Sequence, residues 1–526
     1  MISGVAPNKN PYLCSMKPLK YPIGIQDFRE IREQGYHYLD KTKHIYGLLT
    51  EGKYYFLSRP RRFGKSLLVA TIKEIYQGSE ALFEGLWIER QWDWSRRYPV
   101  AHLAFSSVNY HQLGLAAALS KEIERIAEAY GLRLESRELK DQFRELLETL
   151  AQKRGRVVLL IDEYDKPIID YIEKPEQAKH NREILRQFYA ILKDADPHLE
   201  FALITGVSKF SKVSIFSDLN NLEDITMSPA HSTLLGITPD ELEQQFGTML
   251  DQMEAEAPTI RQQIRQMYNG YSWDGQNRVY NPFSLLRFLK SKSLQNYWFE
   301  TGTPTFLVQM MYRQGRFKWD PEAFVSLLAL NNFDEEHMDL QAVLFQTGYL
   351  SIATLNVPEG WCKLDYPNQE VRTSLEQLLL AVYQHQHESS GLPTVLQLRE
   401  ALEKNDLEQV VQIINAVFAQ IPYDLWREAT ALHYHALVHL TFSLLSSYLK
   451  SEVHSALGRC DALVQTATHI YAFEFKLEQN TSLAIQQIID KGYLAPYQLD
   501  SRSKIAVGIN FSREKRGISA VEWRQI

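Results

Sequence analysis

The sequence predicts an α/β protein in which two α/β units are separated by a mainly helical region. Strand-like apolar runs alternate with helical stretches over the first part of the chain, which is typical of a parallel sheet covered by helices. Helical patterns then dominate, and a second alternation of strands and helix follows residue 453. We therefore expect a flexible leader at 1–20, a parallel-sheet domain at 21–237, a helical lid or linker region at 238–400 and a C-terminal α/β domain at 401–526.

Length and composition narrow the class of protein. A chain of 526 residues is too long for a single core, so several domains are expected. The formal net charge of −7 excludes a generally basic surface, so any contact with nucleic acid requires a local basic groove. Three distant cysteines predict neither disulfides nor a zinc cluster, and no apolar run approaches the roughly 18 residues of a membrane span. These patterns favour a cytoplasmic protein without membrane contacts.

The N-terminal unit contains the strands and helices of the predicted parallel sheet. Its strands are "KYYFLS" (53–58), "YPVAHLAFS" (98–106), "RVVLLID" (156–162) and "EFALITG" (200–206). The continuous apolar run at 156–162 predicts a central strand that is buried on both faces. Helices are expected at 66–78 and over a long amphipathic region from about 114 to 153.

Beyond residue 237 the predicted elements are mostly helices. In "TPDEL" Thr238 can serve as the N-cap, Pro239 as the first helical residue and Glu241 as the partner in a capping box. An aromatic turn at 268–284 interrupts the helices, and "QTGYLSIATL" (346–355) is strand-like. The C-terminal unit contains a strand, a turn at "QTATH", the strand "IYAFEFKL", a helix and a final strand "KIAVGINF".

A phosphate-binding loop is predicted in "SRPRRFGKSLL" (58–68). It ends in the Gly-Lys-Ser of the Walker A pattern G-x-x-x-x-G-K-[ST], but Arg59 stands where the first glycine is expected. The required strand, loop and helix are all present, and such a loop binds phosphate through its N–H groups and the helix N-terminus. Lys65 would reach the β- and γ-phosphates of ATP, and the Ser66 hydroxyl would hold Mg²⁺. The predicted nucleotide-binding residues of the loop are Arg61, Arg62, Phe63, Gly64, Lys65, Ser66 and Leu67.

A Walker B strand is predicted in "VVLLIDEYD" (157–165). Asp162 would hold Mg²⁺ through water, and Glu163 would orient and deprotonate the attacking water as the catalytic residue. The alternative is a buried strand that ends in two solvated acids. After the next strand, Thr205, Ser208 and Lys209 stand where a polar residue would sense the γ-phosphate, and we select Ser208 for this role; polar residues are also ordinary at strand ends.

Several segments together resemble the AAA-ATPase-like proteins of bacteria. They are "YPIGIQDFREIREQGYHYLDKT", "RPRRFGKSL", "LIDEYDKPI", "TGVSKFSKVSIFSDLNNLEDIT", "YNPFSLL", "YWFETGTPTFL" and "YPNQEVR". The resemblance covers roughly residues 20 to 515, and "RPRRFGKS" is the usual form of the loop in that family. It therefore implies a P-loop NTPase fold that is built without its first glycine. Arg61 and Arg62 either add charge beside the phosphates or face solvent. The resemblance also implies a C-terminal PD-(D/E)XK nuclease-superfamily domain.

Two carboxylates and a lysine near the C-terminus form a second candidate site. Glu474 and Lys476 are two residues apart on a predicted strand and so share one face, and Asp461 precedes them in a predicted hairpin. Such a group can bind Mg²⁺ and place an ammonium beside an attacking water, although an amphipathic edge strand shows the same alternation. The resemblance places these three residues on the D…E-x-K signature of the nuclease superfamily and Gln487 on the helix that often adds a polar residue. It leaves Glu428 and Glu452 as candidates for an upstream acid.

A rival metal site is offered by "HYHALVH" (433–439). His435 and His439 are one helical turn apart, but the Glu of H-E-x-x-H and a third ligand are missing. We therefore favour a helix face that packs against the C-terminal sheet.

These patterns lead to one hypothesis and one alternative. The hypothesis is an ATPase that uses ATP and Mg²⁺ and carries a Mg²⁺-dependent nuclease-like domain acting on DNA or RNA, with ATP controlling domain arrangement or homo-oligomerisation. The alternative is an ATP-switched regulatory protein whose inactive nuclease fold binds nucleic acid without cleaving it.

Overall fold

The computed structural model describes residues 19–209, 216, 221–298, 305–314, 323–331, 339–383, 391–419, 440–441, 460–512 and 514–526. The predicted leader, except for its last two residues, lies outside these ranges, as do Glu428, Glu452, His435 and His439. Within the described ranges, no helix combines the length and apolarity needed to cross a membrane.

The described α-helices and strands are numbered here in chain order. The helices are α1 (Phe28–Glu33), α2 (Thr42–Glu51), α3 (Lys65–Tyr76), α4 (Tyr110–Leu113), α5 (Leu115–Ala129), α6 (Leu139–Arg154), α7 (Lys166–Ile169), α8 (Pro175–Tyr189), α9 (Pro239–Glu256), α10 (Ile260–Tyr268), α11 (Pro282–Ser291), α12 (Thr305–Arg313), α13 (Leu327–Asn331), α14 (Leu340–Thr347), α15 (Gln369–Tyr383), α16 (Gly391–Glu403), α17 (Leu407–Ala419) and α18 (Thr481–Asp490). The strands are β1 (Tyr54–Ser58), β2 (Val100–Ala104), β3 (Val157–Asp162), β4 (Leu199–Gly206), β5 (Glu223–Asp224), β6 (Asn269–Tyr271), β7 (Val279–Tyr280), β8 (Phe324–Ser326), β9 (Ser351–Asn356), β10 (Trp361–Asp365), β11 (Ala462–Gln465), β12 (His469–Leu477), β13 (Ser503–Ser512) and β14 (Gly517–Gln525).

The N-terminal sheet has the fold of a P-loop NTPase. Its strands are all parallel and follow the order β2-β3-β4-β1-β5. Every residue of β3 is buried, as the apolar run predicted, because helices cover both faces of the sheet. Since parallel strands share one carboxyl edge, the ends of β1, β3 and β4 lie next to one another.

The middle region is mainly helical, and its first helix begins as predicted. The Thr238 side chain accepts from the Glu241 backbone N–H, and the Glu241 carboxylate accepts from the Thr238 N–H. Two details differ from the sequence predictions. The amphipathic region from 114 to 153 divides into α5 and α6, and the strand-like segment 346–355 is the end of α14 followed by β9. An antiparallel sheet of order β8-β10-β9 is an addition that the sequence did not predict.

The C-terminal sheet has the order β11-β12-β13-β14, with β12 and β13 parallel and the other pairs antiparallel. The predicted strands at "IYAFEFKL" and "KIAVGINF" are β12 and β13, and β14 is an additional edge strand. Helix α18 packs on β12, β13 and β14. This α/β layer is the PD-(D/E)XK-like part of the fold.

One hydrophobic cluster runs from the first candidate site to the second. It contains Phe63 from the predicted phosphate loop, many middle-region residues, and Tyr471, Phe473 and Phe475 from β12. The middle region is therefore packed against both ends of the chain rather than serving as a loose connection.

Candidate functional sites

The predicted phosphate loop connects β1 to the N-terminus of α3. Arg62 and Gly64 adopt positive φ angles of 68° and 91°, which turn the loop toward the helix. The buried Lys65 ammonium donates to the carbonyl oxygens of Arg59 at 2.8 Å and Pro60 at 3.0 Å. Burial lowers the pKa of Lys65, while the nearby Asp162 and Asp165 carboxylates oppose that shift. The ammonium is thus fixed inside the curve of the loop.

Asp162 lies at the carboxyl end of β3, opposite the first turn of α3. Its Oδ2 accepts from the Ser66 hydroxyl at 2.5 Å, and its Oδ1 accepts from the Thr205 hydroxyl at 2.5 Å. Asp162 therefore joins the N-terminus of α3, 96 residues away in the chain, to the end of β4, 43 residues away. Hydroxyl and carboxylate oxygens are the ligand type that Mg²⁺ prefers, so Ser66 and Asp162 fit a magnesium ion.

Glu163 follows Asp162 directly and has a strained backbone. Its φ is 56°, in the left-handed region that non-glycine residues rarely occupy. Burial raises the pKa of the Glu163 carboxyl, with a further contribution from Asp162, while Lys65 opposes the shift. Such strain and a raised pKa are common at functional sites, where they keep a carboxylate aimed at its task.

Asp165 is a site residue that the sequence analysis missed. It is fully enclosed, and its Oδ2 accepts from the backbone N–H groups of Val207 and Ser208 and from the Ser208 hydroxyl. Burial raises the pKa of Asp165, and the bonds from Ser208 oppose the shift. The Ser208 hydroxyl is therefore held against Asp165, and Thr205 is the candidate that reaches Asp162. The signal was the third acid of "DEYD", but its partners lie in the segment after another strand, β4.

Lys209, the other polar candidate, is bound by residues outside this group. Its ammonium forms an ion pair with Asp224 at 3.0 Å, and its backbone N–H donates to Gln346 Oε1 at 3.0 Å. The segment that follows β4 is thus tied directly to α14 of the middle region.

Arg59, at the position of the missing glycine, is completely buried. Its guanidinium donates to the carbonyl oxygens of Ser58, Thr226 and His231 and lies 4.0 Å from the centre of the Trp273 ring. Burial lowers the pKa of Arg59 to about 9, which leaves it charged at neutral pH. Arg59 is a structural part of the loop and does not extend toward solvent.

The remaining loop side chains also have defined places. The Arg61 side chain is exposed, and its role beside the phosphates stays a prediction. The Arg62 guanidinium lies 3.8 Å from the centre of the Phe283 ring. The Phe63 side chain packs in the core against Tyr271 and Trp273, so the group that Phe63 can offer to a phosphate is its backbone N–H. Leu67 is partly buried against the core beneath α3.

The C-terminal site is built on one face of β12 and on α18. Phe473 and Phe475 point into the core, whereas Glu474 and Lys476 project from the other face. The Lys476 ammonium donates to Glu474 Oε1 at 3.1 Å and to Gln487 Oε1 at 2.6 Å. The Gln487 amide also donates to Glu474 Oε1, so the three side chains form a closed group.

Asp461 lies just before β11 and reaches this group from the neighbouring strand. Its Oδ2 accepts from the Phe475 backbone N–H at 2.7 Å, and its side chain is exposed. Glu474 Oε2 is buried without a hydrogen-bond partner, and burial, followed by Asp461, raises the pKa of Glu474. An unpartnered carboxylate oxygen beside a second carboxylate fits a hard cation such as Mg²⁺. No group of three or more His, Cys, Asp or Glu ligands occurs in the described parts of the chain.

Comparisons with known proteins give a family model for each of the two α/β regions. A family model described as "Predicted AAA-ATPase" matches residues 22–216, and a model of the PD-(D/E)XK nuclease superfamily matches residues 431–521. A protein of Azotobacter chroococcum mcd 1, named "Uncharacterized protein in vnfD 5'region", is 38% identical over 515 residues, which cover 96% of this chain and 98% of that protein. The Orc1 protein of Aeropyrum pernix, solved in complex with DNA, is a distant structural neighbour with 10% identity and a TM-score of 0.25, over 64% of this chain and 91% of its own.

The Azotobacter protein aligns with nearly the whole of this chain. The two family models match the N-terminal and the C-terminal parts of this chain. The P-loop sheet and the α/β layer at residues 460–526 are the folds that these models describe. The chain belongs to the AAA-ATPase-like family and carries a C-terminal domain of the PD-(D/E)XK nuclease superfamily.

Proposed function

We propose that the N-terminal site binds and hydrolyses ATP with Mg²⁺. The observation that carries this proposal is the meeting of the Ser66 and Thr205 hydroxyls on Asp162, beside the enclosed Lys65 ammonium. Mg²⁺ neutralises charge on phosphate oxygens when it is bound. The Lys65 ammonium would leave its loop carbonyls to meet the phosphates, and Ser66 and Asp162 would hold the metal.

Glu163 would supply the general base of this reaction. Its raised pKa strengthens its affinity for a proton, and its fixed backbone aims the carboxylate at the edge of the sheet where β1, β3 and β4 end. Thr205 would keep Asp162 in place, and Ser208 would set the loop after β4 through Asp165. The γ-phosphate-sensing role that the sequence suggested for Ser208 is thus indirect in this proposal.

Two substitutions test the ATPase proposal. Lys65→Ala should abolish ATP binding because it removes the cation that meets the phosphates, whereas Glu163→Gln should preserve binding and block hydrolysis. Calorimetry and a phosphate-release assay measure the two effects. Lys53→Ala is the matched control, since Lys53 pairs with Asp196 on the surface at the other end of β1. Unchanged ATP affinity in a folded Lys65→Ala protein would refute the proposed ATP-binding role of the phosphate loop.

We further propose that the C-terminal site hydrolyses DNA or RNA phosphodiesters with Mg²⁺. The supporting observation is that Lys476 donates to one Glu474 oxygen, the other Glu474 oxygen is buried without a hydrogen-bond partner, and Asp461 is close enough to raise the pKa of Glu474. Asp461 and Glu474 would hold the metal, which supplies Lewis acidity when bound. Lys476 would stabilise the attacking hydroxide or the charge that develops on the phosphate, and Gln487 would orient both side chains.

Labelled DNA and RNA, incubated with Mg²⁺ or Mn²⁺ in the presence and absence of ATP, test this second proposal. Asp461→Ala and Glu474→Ala should each remove metal-dependent cleavage, whereas Lys476→Ala should keep metal binding and lose rate. ATP turnover should continue in these variants, because Glu163 is on a different sheet. Asp490→Ala, an exposed acid at the end of α18, is the matched control.

One alternative remains, that of an ATP-switched protein whose nuclease-like fold binds nucleic acid without cleaving it. An intact protein that binds DNA or RNA but cuts neither under any of these conditions would favour that alternative. Under both proposals the protein acts in the cytoplasm, and a change of its sedimentation with ATP would reveal homo-oligomerisation.

A further inference from the structure

The first part of the phosphate loop is in contact with the middle region. Each of the five residues from 59 to 63 contacts a residue between 271 and 348. Arg59 lies on Trp273, a Cβ on Gly348 would come within 2.7 Å of Pro60, and the Trp298 indole N–H points at the Arg61 carbonyl at 3.4 Å. Arg62 lies on Phe283, and Phe63 packs against Trp273 and Tyr271. The loop lies within residues 22–216, which the ATPase model matches, whereas its partners between 271 and 348 lie outside that range.

Of these loop residues, Arg59 depends most on its surroundings, because its buried guanidinium carries a charge. Removing a guanidinium from water is costly unless its donors are bonded and its charge is compensated. Three backbone carbonyls accept from its Nη atoms, but Nε has no hydrogen-bond partner. The Asp224 and Asp274 carboxylates are near enough to favour the charged form of Arg59, and the face of the Trp273 ring, 4.0 Å away, adds a cation–π contact.

The position of Arg59 connects this contact to the predicted phosphate site. The Arg59 carbonyl oxygen accepts from the Lys65 ammonium, and so does the carbonyl of the next residue, Pro60. Any shift of the Arg59 side chain that moves its backbone also moves the seat of that ammonium. A first glycine would let the loop approach the phosphates closely; here the loop turns at Arg62 and Gly64, and the buried Arg59 side chain anchors the loop just before that turn.

We propose that Trp273 is a positioning residue of the ATP site, acting through Arg59 on the curvature of the phosphate loop and the placement of Lys65. The inference rests on the proposed ATP binding and adds to it that the site is incomplete without the middle region. Trp273 does not touch the nucleotide. Its contribution is to hold the loop in the binding conformation before ATP arrives, which lowers the conformational cost of binding.

The test compares substitutions of two tryptophans in the full-length protein. Trp273→Leu keeps an apolar side chain but removes the ring face, and should weaken binding of a non-hydrolysable ATP analogue about tenfold, which corresponds to about 1.4 kcal/mol. Trp273→Phe keeps a smaller ring and should lie between Trp273→Leu and the wild type. Trp361→Leu is the matched control, because Trp361 is also in the middle region but packs against Phe324. Calorimetry gives the affinity, and thermal unfolding shows that each protein is folded at the working temperature.

The outcomes separate this inference from the proposed function. If the wild type does not bind the analogue, the ATP proposal fails and the inference fails with it. If the wild type binds and a folded Trp273→Leu protein binds equally well, the inference alone is overturned, because a purely structural role lowers the unfolding temperature without changing affinity. A loss of affinity in Trp361→Leu as large as in Trp273→Leu also overturns it. Should Trp273→Leu not fold, unchanged affinity in Trp273→Phe decides against the proposal.

Discussion

Gly206 ends β4 beside Asp165, and a methyl group at this position has no room. A Cβ built on Gly206 would lie 2.5 and 2.6 Å from two ring carbons of Tyr164 and 2.9 Å from Asp165 Oδ1. Carbon atoms in contact are normally at least about 3.5 Å apart, so the ring would have to move by about 1 Å. Tyr164 is fully buried against Phe56 and Phe216, and its hydroxyl donates to the Ser208 carbonyl.

Gly206→Ala should therefore destabilise the N-terminal domain by roughly 1–3 kcal/mol, the usual cost of overpacking a core. The displaced Tyr164 and Asp165 should also lower ATP turnover, since both hold the loop after β4. Urea denaturation measures the first effect as a lower transition midpoint with an unchanged slope. A phosphate-release assay measures the second.

Gly247→Ala provides a matched control with the opposite sign. Gly247 lies in the interior of α9, and the nearest atom to an added Cβ is Glu243 Oε2 at 3.7 Å. Alanine should stabilise that helix by roughly 0.5–1 kcal/mol because it reduces the entropy lost on folding. A Gly206→Ala protein as stable and active as the wild type would refute the packing argument around Tyr164.

Three further predictions follow from the two sites and the middle region. Thr205→Val keeps the side-chain shape but leaves Asp162 Oδ1 without its donor, so it should cost roughly 1–3 kcal/mol in denaturation midpoints and raise the Mg²⁺ concentration needed for ATP turnover. The pKa of the Glu474 carboxyl is raised above its ordinary value of 4.5, and protons compete with Mg²⁺ for this carboxylate. Nucleic-acid cleavage should therefore fall as the pH decreases toward 4.5. In a pH–rate profile, added Mg²⁺ should restore the cleavage rate. Thr238→Ala removes the N-cap of α9 and should cost about 1 kcal/mol in thermal unfolding without changing ATP affinity.

Local patterns in the sequence were enough to predict the parts of each site that lie on one element. The strand–Gly-Lys-Ser–helix succession predicted the strand, loop and helix on which Lys65 lies, and the alternation in β12 predicted that Glu474 and Lys476 share a face. Thr238 and Glu241 form the capping box because its rules operate within one turn of helix. The catalytic roles of Lys65, Glu474 and Lys476 stay predictions.

Contacts between distant segments could not be predicted in this way. Arg59 was first seen as a departure from a pattern, and nothing near it in the sequence indicates Trp273 or the carbonyls that bind its guanidinium. Asp165 was not singled out, because its three donors come from Val207 and Ser208 in the segment that follows β4. The sheet of β8, β9 and β10 was missed for a similar reason: its strands are short, and β8 joins through pairing with β10 some 35 residues later.

The hydrophobic cluster that joins Phe63 to Phe473 bears on how this protein can be divided experimentally. Phe473 and its neighbours on β12 place one face in that cluster, so a fragment beginning near residue 460 would expose a row of aromatic rings to water. A fragment that ends before the middle region would likewise uncover Phe63 and the buried charge of Arg59. Expression of either end alone should therefore yield insoluble material. Because the hydrophobic cluster is shared, an insertion between the two sites should destabilise the protein more than their separation in sequence suggests.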